Sequence, residues 1–130
     1  MRARLIAAIA VLAALPLAAQ EGHPLVGSWH GNWGDGAKRT DLTVVMDWDG
    51  KALTGIVNPG LDQSLMENAR LTPRGWTVHF ETNLKDGGKT QRCVADGTID
   101  KLGSDRRTLN GTWVCGTARM DFKLTRDRDY

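Results

Sequence analysis

The chain is poor in the residues that usually carry chemistry: of its 130 residues only three are histidine, two are cysteine and one is tyrosine. His23, His30 and His79 stand far apart and form no His-x-His pair, so a metal-ligand spacing is missing. Asp47-Trp48-Asp49-Gly50 starts like a calcium loop, but no third acidic ligand or closing Glu follows, and a hairpin turn accounts for it better. Ser28, Ser64 and Ser104 lack the strand-turn-helix setting of a nucleophile elbow. Gly34-x-Gly36 is too short for a phosphate loop and opens no helix. Asn110-Gly111-Thr112 is a formal glycosylation sequon, but it lies inside an expected strand and is discounted. No catalytic residue, metal site or cofactor is expected, and the chain does not read as an enzyme.

Charge of one sign is also lacking once the N-terminus is set apart. Arg2 and Arg4 precede an unbroken apolar run over residues 5–15, then come Pro16 and the small residues Ala18 and Ala19. This is the layout of a secretory signal peptide over residues 1–20, and the run is short for a membrane span, which is the competing reading. No Cys marks a lipoprotein cleavage point, and Arg2 and Arg4 are not adjacent as a twin-arginine signal requires. The whole chain has 17 Lys and Arg against 15 Asp and Glu; without Arg2 and Arg4 the count is 15 against 15. The mature part, residues 21–130, therefore has no net charge and no basic stripe, which disfavours nucleic acid and anionic membranes as partners. A secreted or periplasmic protein is expected, with bacterial export favoured by the Ala-rich leader, and no stable membrane anchor after cleavage.

No sustained apolar period of 3.6 residues appears after residue 20, which excludes a long helix. What is present is alternation, broken at short intervals by turn chemistry such as Asp49-Gly50, Asn58-Pro59-Gly60, Thr72-Pro73-Arg74-Gly75, Asp86-Gly87-Gly88 and Gly116-Thr117. About eight short strands in one domain follow. A two-residue loop at Asp49-Gly50 pairs Trp48 with Lys51, Met46 with Leu53, Val44 with Gly55 and Leu42 with Val57, gathering apolar residues on one face. A two-residue loop at Gly116-Thr117 likewise pairs Cys115 with Ala118, Trp113 with Met120, Gly111 with Phe122 and Leu109 with Leu124. A slip by one residue would invert both faces, so each register is well specified.

Export makes a disulfide the default for Cys93 and Cys115, against the alternative of two free buried thiols. Setting Cys93 opposite Cys115 brings Ala95 to Trp113, Gly97 to Gly111 and Ile99 to Leu109, so the same apolar face appears again. Strands joined by short loops form a meander, which can close into an all-β, up-and-down barrel; a two-sheet sandwich is the alternative. Trp29, Trp33, Trp48, Trp76 and Trp113 all fall on the apolar parity of their strands, and such rings suit a small barrel's interior.

Gly27-Ser28-Trp29 near the start of the first strand resembles the Gly-x-Trp motif of the calycin superfamily, which includes lipocalins and avidins. In that superfamily the Trp packs across the closed end of the barrel against an Arg near the end of the last strand. Arg126 stands at that place here, and the resemblance implies structural roles for Gly27, Trp29 and Arg126, with a cation–π contact between ring and guanidinium. The residues by which avidins hold biotin have no match, so biotin binding is not implied.

A turn over residues 72–75 would pair Leu71 with Trp76, Ala69 with Val78, Glu67 with Phe80 and Leu65 with Thr82. Parity through Cys93 turns Gln91 inward as well. Glu67, Thr82, Gln91, Trp33, Leu42 and Val57 then share one end, while Trp29, Trp48, Trp76, Leu71 and Leu109 plug the other. A packed base and a mouth with a few polar groups are what a ligand-binding barrel needs. The expected function is thus an exported binding protein holding a small apolar or aromatic ligand, with Trp33, Phe80 and Met120 as walls and Glu67 or Gln91 as polar contacts. The competing reading of Glu67 is a solvated rim residue, or one turned outward by a bulge. The alternative function is a protein-interaction module, such as a periplasmic protease inhibitor, acting through surface loops at 34–40 or 58–63. General acid–base work wants a second titratable group, and the inward face offers Glu67 alone.

Overall fold

A computed structural model of the chain describes residues 23–128; the expected signal peptide at 1–20 lies outside the described residues. Eight antiparallel strands follow one another around a closed barrel. They are β1 (Gly27–Asp35), β2 (Lys38–Trp48), β3 (Leu53–Val57), β4 (Ser64–Thr72), β5 (Thr77–Asp86), β6 (Lys89–Asp100), β7 (Thr108–Cys115) and β8 (Ala118–Arg126). Closure comes from β1 pairing with β8, Trp29 opposite Arg126 and Trp33 opposite Phe122, so no sheet edge is left open. The sandwich alternative is excluded.

Two hairpins keep their expected registers. Across β7–β8, Trp113 faces Met120, Gly111 faces Phe122 and Leu109 faces Leu124. Across β6–β7, Cys93 faces Cys115, Ala95 faces Trp113 and Ile99 faces Leu109. Cys93 and Cys115 form a disulfide with Cα atoms 4.2 Å apart, the closeness of a non-hydrogen-bonded antiparallel pair. Gly97 and Gly111 oppose each other where the strands run too close for side chains: a Cβ on Gly111 would lie 2.0 Å from the Asp96 carbonyl oxygen.

Two others differ from expectation. Trp48 pairs with Leu53 rather than Lys51, because the β2–β3 loop takes four residues instead of two. Asp49 sets that length: its Oδ1 accepts from the amides of Lys51 at 2.8 Å and Ala52 at 2.7 Å, closing the turn with a side chain. The shift is two residues, so the apolar face is conserved. In β4–β5 the turn holds a single 3-10 turn (Arg74–Trp76), and pairing starts at Thr72 opposite Thr77. Further along, Arg70 faces His79 but Glu67 faces Glu81, leaving Asn68 and Ala69 across from one residue. Asn68 adopts φ 50°, a conformation that Asn tolerates, and this bulge flips the strand's parity. Ser64 and Met66 are therefore buried, while Leu65 is 65% exposed.

The core is filled by side chains from every strand. Trp113 lies at its centre, edge-on to Phe80 (6.1 Å) and Phe122 (6.0 Å), and all three rings are buried. Each such ring contributes roughly 2–3 kcal/mol by leaving water. Trp48 and Trp76 do not join the plug at the closed end; they are 37% and 40% exposed. Trp76 belongs to the turn, with φ 52°, and Trp48 lies at the strand's end, stacked on His23 at 4.6 Å. The plug is instead Leu25, Trp29, Met46, Leu53, Ile99 and Leu109.

Candidate functional site

Strand direction gives the barrel two unlike ends. At the end where β1 begins and β8 finishes, polar groups are tied off. Trp29 Nε1 donates to the Leu25 carbonyl at 2.8 Å. Arg126, itself buried, donates through Nε to the Val26 carbonyl at 2.8 Å and through Nη1 to the Asp105 carbonyl at 3.1 Å. Arg107 reaches the Pro24 carbonyl at 3.0 Å from its Nη1. Gly27, at φ 132°, leaves the space this requires, since a Cβ there would meet Arg126 Nε at 2.9 Å. The Gly-x-Trp spacing and the terminal Arg thus act as one closure, with the guanidinium seated over the glycine.

At the other end β1–β2, β5–β6 and β7–β8 meet in tight turns. Trp33 stacks on Trp113 with ring centroids 5.8 Å apart and 26° between planes. Trp33 and Met120 are half-buried against the core. Neither Trp33 Nε1 nor Trp113 Nε1 meets an acceptor among the described residues, although both atoms are buried. An indole N–H that gives up water without a partner costs about 1–3 kcal/mol. Nearby, Ser64 and Thr82 hydroxyls lie 2.7 Å apart, and Thr82 Oγ1 donates to the Leu65 carbonyl at 2.9 Å, so this polar pair is satisfied.

The residues singled out from sequence as ligand contacts are thus only partly brought together. Trp33 and Met120 lie at the rim. Phe80 is 1% exposed and supports Trp113 from within, so it is no wall of an open mouth. Gln91 keeps the expected parity but ends up exposed at the rim, its Nε2 beside the turn at Gly116. Glu67 is not the inward ligand contact but, as in the competing reading, is turned to the outer wall by the Asn68 bulge, where its Oε1 takes a 3.1 Å ion pair from Arg92. It borders an outer depression of about 370 Å³ with Leu65, Asn83 and Lys85, formed where β4 and β5 diverge. The lumen behind it is packed with Met66, Thr82, Leu84 and the disulfide.

A polar network across β4, β5 and β6 was not anticipated. Arg92 bridges Glu67 and Glu81, at 3.1 and 3.0 Å. Glu81 Oε2 meets His79 Nε2 at 2.8 Å, and His79 Nδ1 meets Asp96 at 2.7 Å. Burial pulls the His79 pKa down, but the hydrogen bonds to Glu81 and Asp96 outweigh it and the net shift is upward. His79 and Arg92 together hold Glu81 down at about 2. The Gly87-Gly88 turn carried the signal, since a two-residue loop there sets His79 opposite Asp96 and Asn83 opposite Arg92. The two carboxylates grip opposite nitrogens of the ring, and no metal-holding group of three His, Cys, Asp or Glu occurs among the described residues.

Of the two loops offered for protein contacts, 34–40 is mostly ladder, with Asp35 paired to Lys38. The 58–63 loop is a true projection. Asn58 anchors it to Thr43 through backbone and side chain at 2.7 and 3.0 Å, and Leu61 at its tip is fully exposed. The disulfide, and the lack of any helix long and apolar enough to cross a membrane among the described residues, are compatible with a secreted or periplasmic protein. No family model, curated protein or solved structure matches the chain.

Proposed function

We propose that the chain is an exported, calycin-like binding barrel that takes a small planar apolar or aromatic ligand at its open end. The observation that carries this reading is the Trp33–Trp113 stack with two buried N–H groups and no acceptor for either among the described residues. A flat ligand bearing one or two hydrogen-bond acceptors would relieve both donors while its faces contact indole and the Met120 thioether. Trp33 is the half-buried member, so its ring shifts to admit the ligand, and Gln91 offers an amide at the rim. Phe80 fixes the angle of Trp113 from below. Export follows from the leader and suits the disulfide.

Tryptophan fluorescence tests this directly. Titration with a panel of indoles, quinones and flavins should quench or shift emission for at least one of them. Trp33→Phe keeps a ring but removes a donor, and should weaken that ligand about 5- to 10-fold. Unchanged emission across the panel would sink the proposal.

A second reading has its own observation, the fully exposed Leu61 on a braced loop. An apolar tip held rigid in this way suits insertion into a partner protein's pocket, as an inhibitor would do. Inhibition of a periplasmic protease that is abolished by Leu61→Ser and untouched by Trp33→Phe would select this reading over the first.

A further inference from the structure

We propose that the outer wall of β4–β7 carries a second site, a groove for a neutral saccharide. The groove encloses about 430 Å³ over the Gly97–Gly111 pair. Two parallel rows of polar side chains line it. One runs Thr72, Thr77, Thr98, Asn110 across four strands in direct register. The other runs Arg70, His79, Asp96, Thr112, two residues along each strand. Neighbouring strands lie about 4.8 Å apart, so the hydroxyl and amide groups of the first row repeat at nearly even steps.

No side chain of the first row makes a hydrogen bond among the described residues, and Arg70 has no ion pair there. Asp96 spends Oδ1 on His79 at 2.7 Å and keeps Oδ2 for a pair of vicinal hydroxyls. The charge balance selects against ions. The imidazole is shared between Asp96 and Glu81, which leaves Arg70 facing a groove that also holds a carboxylate. Neither a phosphate nor an ammonium gains a one-sided field, whereas a polyhydroxylated neutral ligand finds both donors and acceptors.

The test is an amide NMR titration of the purified protein with cellotetraose, maltotetraose and chitotetraose, with inorganic phosphate as a fourth arm. The expected result is a saturable shift of the Gly97, Thr98, Gly111 and Thr112 amides with one of the sugars, at a Kd of about 1 mM or tighter. Thr98→Val keeps the β-branched shape and should weaken that sugar about fivefold, and Asp96→Asn at least as much. Unshifted Trp113 and Phe122 resonances in these variants establish that the barrel is intact. Saturation by phosphate alone, shifts confined to other residues, no shift with any sugar, or wild-type affinity in both variants each overturns the proposal. Since the readout lies on the outer wall, the result is independent of ligand binding at the Trp33 end.

Discussion

The two ends of the barrel contain the same residue type in opposite states. At the closed end Trp29 donates to a backbone carbonyl, and two arginines tie the chain preceding β1 to the β6–β7 loop and the C-terminal strand. At the open end Trp33 and Trp113 bury their N–H groups with no acceptor among the described residues. Burial alone therefore does not distinguish structure from function here, since Trp29 and Trp113 are both fully buried. The distinction lies in satisfaction: one end has committed its polar groups, and the other holds donors in reserve.

The largest test of that contrast is Arg126→Ala. It removes donors from the Val26 and Asp105 carbonyls and opens a void beside Gly27. A loss of about 3–4 kcal/mol is expected in urea denaturation. Next comes the disulfide at the open end, which closes a loop of 22 residues. Cys93→Ala with Cys115→Ala should cost about 3 kcal/mol by freeing the unfolded chain, while the closed end keeps its native contacts. If Arg126→Ala proved the milder of these changes, the closed end would not be the structural anchor.

A sharper comparison sets Trp29→Phe against Trp113→Phe. Both substitutions remove the same volume from a fully buried position. Only the first breaks a hydrogen bond, leaving the Leu25 carbonyl without its donor. The second deletes an N–H that has no partner among the described residues, which offsets part of the packing loss. Trp29→Phe should therefore be the more destabilising by about 1–2 kcal/mol in matched melts. Equal losses would mean that the Trp113 N–H is satisfied in solution, and the binding proposal would lose its main support.

How much of this was legible in the sequence depended on the turns. Gly116-Thr117 leaves a two-residue loop with no side chain to reset it, and the register from Leu109 to Leu124 follows by alternation. Gly27, Trp29 and Arg126 were legible only through their resemblance to the calycin Gly-x-Trp motif and its terminal Arg, and all three meet at the closed end. Asp49 looked like half of a two-residue turn, but its carboxylate closes a longer one, and only hydrogen-bond geometry shows that. Asn68 is worse, since a bulge residue sits in an alternating run without interrupting its composition. One unpaired residue reversed Glu67, Leu65 and Met66 together. The orphaned indoles were invisible for a different reason: the want of an acceptor belongs to a three-dimensional neighbourhood rather than to any residue.

The bulge leads to the smallest effect, one confined to the outer wall on which β4 is held. Between β3 and β4 only Ile56–Leu65 and Val57–Ser64 pair, so β4 relies on its other neighbour and on the Arg92 network. Glu81 ordinarily titrates near 4.5 and is held at about 2 by His79 and Arg92, so its contribution is present above 4.5 and fades as pH falls toward 2. His79 is shifted the other way: its folded pKa lies above the ordinary 6.5, so its contribution is complete below 6.5 and is lost as pH rises through the folded value. The two windows overlap between 4.5 and 6.5, and Tm should peak there. Both groups are near the surface, so salt screens them and the peak should be shallow. Glu81→Gln should flatten the acid side, and His79→Gln should flatten the alkaline side as well as weaken the acid side by removing a partner of Glu81. Arg126→Ala should lower the whole curve without moving its peak. A peak that moved with Arg126→Ala, or persisted unchanged in both network variants, would place the pH sensitivity at the closed end instead.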